Sequence, residues 1–368
     1  MTRAEAAKLN TLDRAVVNAF QGGFPVTERP FEPAAEALFE RGVEVGEREL
    51  VERVRDLCGD GTLSRFGPLV NAERIGGAAT LVAMHAPPER FEEVEETVNA
   101  HREVAHNYER EHPHLNMWFV VSVADPDRVA EVLGEIEAET GQPTYDLPKE
   151  REFRVEAKFY VDGPISDGAV DLSELGPAVE PTDRTTLTPA ERDLILAVQD
   201  GFPVTETPYA DVADEIGAET EWVLRTLKRF VAEGKIRRIG VIPNHYALGY
   251  TENGMTVWNV PDEIVGEVGP AVAALPFVTH CYERPRHEGV WPYNVFAMTH
   301  GRSEAESDRR IREVRDRMAE FFDVDEEPSS GVPAPEVDLG GWDTLFSTRI
   351  LKKTGIRMDE RARANTAR

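Results

Sequence analysis

Apolar positions along the chain fall into two successive runs of the same elements. In the second run, PAERDLILAVQ, YADVADEIG and AETEWVLRTLKRFVAEG carry apolar residues at helical spacing. Thr188-Pro189 is a helix-start signal, and Gly217 and Gly234 are stop signals. KIRRIGVIPNHYALGY then reads as the hairpin wing of a winged helix-turn-helix. The first run gives LDRAVVNAF, PAAEALFERG and GERELVERVRDLCGDG before LSRFGPLVN. After each wing the periodicity changes in the order strand, helix, strand, strand, helix, strand. The first copy is AATLVAMHA, PERFEEVEETVNAHR, VAHNYER, LNMWFVVSV, PDRVAEVLGEIEAETG and EFRVEAKFY. TENGMTVWNV, DEIVGEVGPAVAAL, VTHCYER, YNVFAMTHG, SEAESDRRIREVRDRMAEFF and DTLFSTRILKK repeat it. This order predicts an α+β fold of two tandem copies, each a winged helix followed by a ferredoxin-like (βαββαβ) sandwich.

Self-comparison makes the duplication explicit. Phe24-Pro25-Val26-Thr27-Glu28 recurs as Phe202-Pro203-Val204-Thr205-Glu206, Leu63–Asn71 matches Ile236–Asn244, and His106-Asn107-Tyr108-Glu109-Arg110 matches His280-Cys281-Tyr282-Glu283-Arg284. The boundaries read as winged helix 10–72, sandwich 73–162, linker 163–186, winged helix 187–247 and sandwich 248–358. The linker is Gly, Pro and acid rich with no sustained apolar period.

Charge narrows the function. The 368 residues carry 68 Asp plus Glu against 41 Lys plus Arg, a formal net charge of −27. Only 7 of the cations are Lys, so nearly all positive charge is Arg. Such a balance argues against a general polyanion binder and points to a salt-loving source, where acidic self-repulsion is screened. Each candidate DNA-recognition helix begins with acid: Glu47–Leu57 is net −1, and Glu219–Phe230, though net +1, opens ETEW. Phosphate would repel those turns, so DNA is not an expected partner. Cys58 and Cys281 form no CxxC, so neither a disulfide framework nor a zinc site is indicated. The N-terminus lacks a signal-peptide core and no apolar run is long enough to span a membrane, which predicts a cytoplasmic protein.

The candidate chemistry lies in the repeated HxYER. Alternation on a strand puts His106, Tyr108 and Arg110 on one face, and likewise His280, Tyr282 and Arg284. An imidazole, a phenol and a guanidinium together can protonate, hydrogen-bond and hold a carboxylate. A solvated surface strand is the ordinary alternative for one copy, and the second copy argues against it. His112, His114 and His287 read as loop histidines near the motifs. His85, His101 and His300 lack a second copy, and His245 stands where the first copy has Ala72. Trp118, Trp291 and Phe296 read as core.

These strings resemble the sirohaem decarboxylases, which are related to the Lrp/AsnC regulators. LSRFGPLVN, HNYERE, LNMWFVVS and LPKEREFRVEAKF resemble the Ahb B-type subunit. IRRIGVIPNHYALGYTENGMTVWNV, PFVTHCYERP, WPYNVFAMTHGRS and LFSTRILKKTGIRM resemble the A-type subunit. The resemblance covers nearly the whole chain and implies a natural fusion of a heterodimer into one pseudo-twofold unit whose sheets pair face to face, with further self-association left open. It implies non-oxidative loss of CO2 from the C12 and C18 acetates of sirohaem, a tetrapyrrole substrate, giving 12,18-didecarboxysirohaem for haem or haem d1. Substrate carboxylates would fall to Arg65, Arg238, Arg110, Arg284, Arg151 and Arg349. His106 and His280 are the expected general acids, with ligation of the substrate's iron as a competing role for either. Tyr108 and Tyr282 would orient a carboxylate or relay a proton. The macrocycle is its own electron sink and brings its own iron, so no added cofactor and no protein metal site are expected. A ligand-responsive transcription regulator and a haem carrier are the alternatives.

Overall fold

The computed structural model describes residues 9–163, 165, 186–330 and 332–353. The linker expected at 163–186, apart from its ends and Ile165, lies outside the described residues, as do residues 354–358 of the expected second sandwich. The first half runs α1 (Thr11–Phe20), α2 (Phe31–Phe39), α3 (Glu47–Gly59), β1 (Leu63–Val70), β2 (Ala78–Met84), α4 (Phe91–Ala100), β3 (Val104–Arg110), β4 (Met117–Val123), α5 (Arg128–Thr140), β5 (Thr144–Leu147) and β6 (Arg151–Val155). The second runs α6 (Pro189–Val198), α7 (Pro208–Ile216), α8 (Thr220–Ala232), β7 (Ile236–Pro243), β8 (Glu252–Trp258), α9 (Val265–Ala273), β9 (Val278–Glu283), β10 (Val295–Gly301), α10 (Glu304–Ala319) and β11 (Trp342–Lys353). Both halves open on a capping box. Thr188 Oγ1 accepts the Glu191 amide while the Glu191 carboxylate accepts the Thr188 amide, and Asn10 with Asp13 repeats this at α1. Gly217, at φ 68°, ends α7 in the left-handed conformation a side chain would resist.

The wings differ from the expected hairpins. Each half supplies a single wing strand, and β1 pairs antiparallel with β7 across the pseudo-twofold. Gly67 opposes Gly240 at the centre of this ribbon. A Cβ on Gly240 would collide with the Phe20 carbonyl oxygen, and one on Gly67 would stand 2.7 Å from Gly201 Cα. The ribbon therefore rests directly on the ends of α1 and α6, and NHYALGY is released from pairing to form a turn. One apolar core runs through both winged helices. The repeated FPVTE supplies its keystones, because Phe24 packs within 4.8–5.1 Å of Phe20, Phe31 and Phe66, and Phe66 lies 5.6 Å from Phe202. That motif is repeated for packing.

The two sandwiches join edge to edge, not face to face, in one sheet of order β5-β2-β4-β3-β11-β8-β10-β9-β6. β11 is twelve residues long and does two jobs: Trp342–Phe346 pairs with β8, and Ser347–Lys353 pairs with β3 of the other half. The first half splits the same task. β5 closes its own sandwich on β2, whereas β6, within the EFRVEAKFY expected to close it, crosses to β9. Each half's last strand thus covers the other's open edge, which would otherwise present unpaired backbone groups. Helices α4, α5, α9 and α10 pack on one face of this sheet over two separate cores. The other face, with Trp118, Trp291 and Phe296 in a shared apolar cluster, turns toward the ribbon.

Candidate active site

Between the nine-stranded sheet and the wing ribbon lies a cavity of about 400 Å³ lined by both halves. The two HxYER strands, β3 and β9, carry His106, Tyr108 and Arg110 and His280, Tyr282 and Arg284 into it. In each copy the rings stand in the same relation, with His–Tyr centroids 6.3 and 6.0 Å apart and the guanidinium 5.5 and 4.8 Å from the tyrosine ring. Two equivalent trios therefore share one cavity.

The arginines are its most telling feature. Arg110 and Arg284 are each only 7% exposed. Arg110 Nη1 donates to the Leu345 carbonyl at 2.8 Å, and Arg284 Nη1 donates to the Leu147 carbonyl, so each is held by the other half's final strands. No carboxylate among the described residues pairs with either, and the Nε of each has no partner. Burial pulls both guanidiniums down to about 10, so both stay charged at neutral pH. A buried cation with no counter-ion is costly, and a bound anion relieves it. Desolvation also pushes the phenols up, Tyr108 to about 12, so both tyrosines remain protonated donors.

The other predicted arginines lie elsewhere. Arg151 and Arg349 sit at matching places on the helix-bearing side: Arg151 is paired with Glu283, and Arg349 with Glu95 and Glu109. Arg65 and Arg238 are turned away from the cavity, with Arg65 Nη2 3.4 Å from the Pro68 carbonyl and Arg238 Nη2 2.9 Å from that of Ala157. None of these four lines the cavity. Strand alternation is the reason, since Arg237, one residue earlier on β7, faces inward in place of Arg238. It makes a two-pronged pair with Glu152 at 2.7 and 2.9 Å, and Lys149 bridges Glu152 and Glu73 beside Tyr282. These ion pairs frame one side of the cavity.

The second copy's end is richer than the first. Thr279 Oγ1 lies 2.9 Å from His280 Nδ1 and 2.9 Å from His300 Nε2, and His300 Nδ1 lies 2.5 Å from Asn253 Oδ1. His245, on the turn after β7, is stacked on Phe159 and stands 5.3 Å from His300. Burial, reinforced by Arg237, Arg238 and Arg284, lowers His280 to about 4, and burial lowers His300 well below the ordinary histidine range. His245 and His300 each occur in one copy only, so repetition does not mark them. Their signal was the asymmetry itself, His245 opposite Ala72.

The neutral histidines give a pH prediction. His112 is also lowered to about 4 by burial, and its Nδ1 accepts the His114 and Leu115 amides. Above pH 6.5 these imidazoles are neutral in folded and unfolded chains alike. Below it the unfolded chain takes up protons that His112, His280 and His300 refuse, so stability falls from about pH 6.5 down to about 4. A thermal melt series is expected to show Tm falling through that window, with a smaller fall in His112→Phe.

Several arginines around the winged-helix faces that would read DNA are paired with acids. Arg48 pairs with Glu52, Arg29 with Glu47 and Glu206, and Arg225 lies 3.9 Å from Glu221. No helix among the described residues is long and apolar enough to cross a membrane.

Comparison with known proteins agrees with this architecture. A model of the AsnC-like ligand binding domain matches residues 74–154 and 247–321, and one of the siroheme decarboxylase NirDL-like HTH domain matches 13–63 and 191–237. The siroheme decarboxylase NirDL subunit of Paracoccus pantotrophus is 31% identical over 352 residues, covering 96% of this chain and 98% of that one. The chain belongs to the sirohaem decarboxylase family. The NirG subunit of the same organism is 48% identical over 145 residues, 39% of this chain and 88% of its own length, so this relative is the size of one half. The crystal structure of the siroheme decarboxylase NirDL in complex with an iron-uroporphyrin III analogue superposes with TM-score 0.65 at 26% identity, over 94% of each chain.

Proposed function

We propose that this protein removes CO2 from the C12 and C18 acetates of sirohaem, giving 12,18-didecarboxysirohaem as a carboxy-lyase of haem or haem d1 formation. The observation that carries this reading is the pair of buried arginines, Arg110 and Arg284, which face one cavity and make no ion pair with a carboxylate among the described residues. They match a ligand that brings several carboxylates on one rigid frame. Family relatives named as sirohaem decarboxylases, and one structure holding an iron-uroporphyrin III analogue, support the same substrate class.

Arg110 and Arg284 hold substrate carboxylates, and Trp118 and Phe296 offer the macrocycle an apolar wall. As the bond between the methylene and carboxyl carbons breaks, its electron pair drains into the conjugated ring. A proton then converts the methylene to a methyl. His106 and His280 relay that proton from water to the methylene carbon, and the protonated phenols of Tyr108 and Tyr282 hydrogen-bond the carboxylate and orient it before it leaves as CO2. The ring is the electron sink and the iron comes with it, so the reading requires no further cofactor. A cytoplasmic, salt-rich setting fits the acidic surface.

Arg110→Leu and Arg284→Leu test the reading, since leucine keeps much of the apolar bulk and loses the charge. Each variant is expected to weaken binding of iron uroporphyrin about 10²-fold, the loss of one charge-assisted contact of roughly 2–3 kcal/mol. Unchanged affinity in both would contradict it. Arg151→Gln, on the far face, is expected to leave affinity unchanged.

A further inference from the structure

We infer that Asn253, His300 and Thr279 are positioning residues that fix His280 as the tautomer protonated on Nδ1, so that Nε2, unprotonated at rest, is the nitrogen that takes up a proton from water in the cavity and passes it on. The hydrogen-bond chain dictates this polarity. Asn253 turns Oδ1 to His300 Nδ1, 2.5 Å away. An amide oxygen only accepts, so the proton of neutral His300 sits on Nδ1 and its Nε2 is an acceptor. The Thr279 hydroxyl has one proton and gives it to His300 Nε2 at 2.9 Å, a closer acceptor than the Met298 carbonyl at 3.5 Å. Its oxygen is then left to accept from His280 Nδ1, also at 2.9 Å. Both rings are buried deeply enough to stay neutral, so neither doubles as an imidazolium donor.

The first copy cannot build this chain. Ala105 stands where Thr279 does before the histidine, Ser122 replaces His300, and Ala79 replaces Asn253 in the matching strand register. The two ends of the cavity are therefore inequivalent: the imidazole of His280 is preset by side chains that the first copy replaces with Ala105, Ser122 and Ala79. A preset imidazole has its reacting nitrogen defined before substrate arrives.

The test is histidine-labelled NMR of the full chain at neutral pH without ligand, with the His280 resonance assigned by its loss in His280→Asn. Wild type and Thr279→Ser are expected to show the Nδ1–H tautomer, and Thr279→Val a shift toward Nε2–H. An Nε2–H tautomer in wild type, or no change in Thr279→Val, overturns the inference. The consequence for turnover rests on the decarboxylase reading: Thr279→Val lowers kcat about 10-fold at unchanged KM, and Thr279→Ser restores it. An unchanged kcat in Thr279→Val overturns the positioning role. Absence of turnover in wild type with the predicted spectra would sink the decarboxylase reading and leave the tautomer assignment standing.

Discussion

Replacing His106 or His280 with alanine is expected to cut the rate of CO2 release from sirohaem by about 10²–10⁴-fold, the range of a lost general acid–base. Binding should survive, because Arg110 and Arg284 are anchored on backbone carbonyls rather than on either imidazole. The signature is therefore a collapse of kcat with little change in affinity, read by tetrapyrrole titration beside single-turnover kinetics. Both histidines line the same cavity, so the account expects both variants to be impaired. Full activity in each would remove the imidazoles from the mechanism.

The second large effect is structural. Gly240→Val is expected to destabilise the fold by about 3 kcal/mol or more, because the new Cβ collides with a carbonyl oxygen that is itself backbone and cannot rotate away. The ribbon of β1 and β7 would have to lift off α1, opening the shared core of both winged helices and the roof of the cavity. Denaturant unfolding should show a lowered midpoint, and tetrapyrrole binding should weaken with it. Gly134 is the control: it lies on α5, nothing stands within 4 Å of the place a Cβ would take, and Gly134→Ala should be neutral or stabilising. Equal effects of the two substitutions would contradict the close-approach argument.

Much of the site was legible because the chain repeats it. Strand periodicity alone placed His106, Tyr108 and Arg110 together, and their duplicates likewise, and the structure brings all six to one cavity. Repetition also misled. It favoured Arg151 and Arg349, which recur because each pairs with acids beneath the sheet, and it passed over Arg237 and His300, which have Ser64 and Ser122 as counterparts. Arg237 and Arg238 differ only in strand parity, and it is Arg237 that lines the cavity. A register irregularity in the ribbon lies between Leu63 and Arg65, and neighbouring strand residues face opposite ways, so spacing alone does not say which faces in. The exchange of last strands was beyond local pattern. EFRVEAKFY has strand character, but its partner is chosen by which edge is open in three dimensions, and β5 had already closed β2.

Those exchanged strands bear on function. Leu345 and Leu147, which hold the two arginines, each come from the half opposite the arginine they hold, so neither half alone completes its own carboxylate site. Fusion of the two copies in one chain keeps these partners at a fixed ratio and close together.

The most direct measurement is anaerobic incubation of the purified chain with sirohaem at high salt, following the mass of the tetrapyrrole. The account predicts stepwise loss of two CO2, abolished together with binding in the Arg110→Leu, Arg284→Leu double variant. Tight binding of sirohaem with no change in its mass would contradict it, leaving a tetrapyrrole carrier or sensor built on the same cavity.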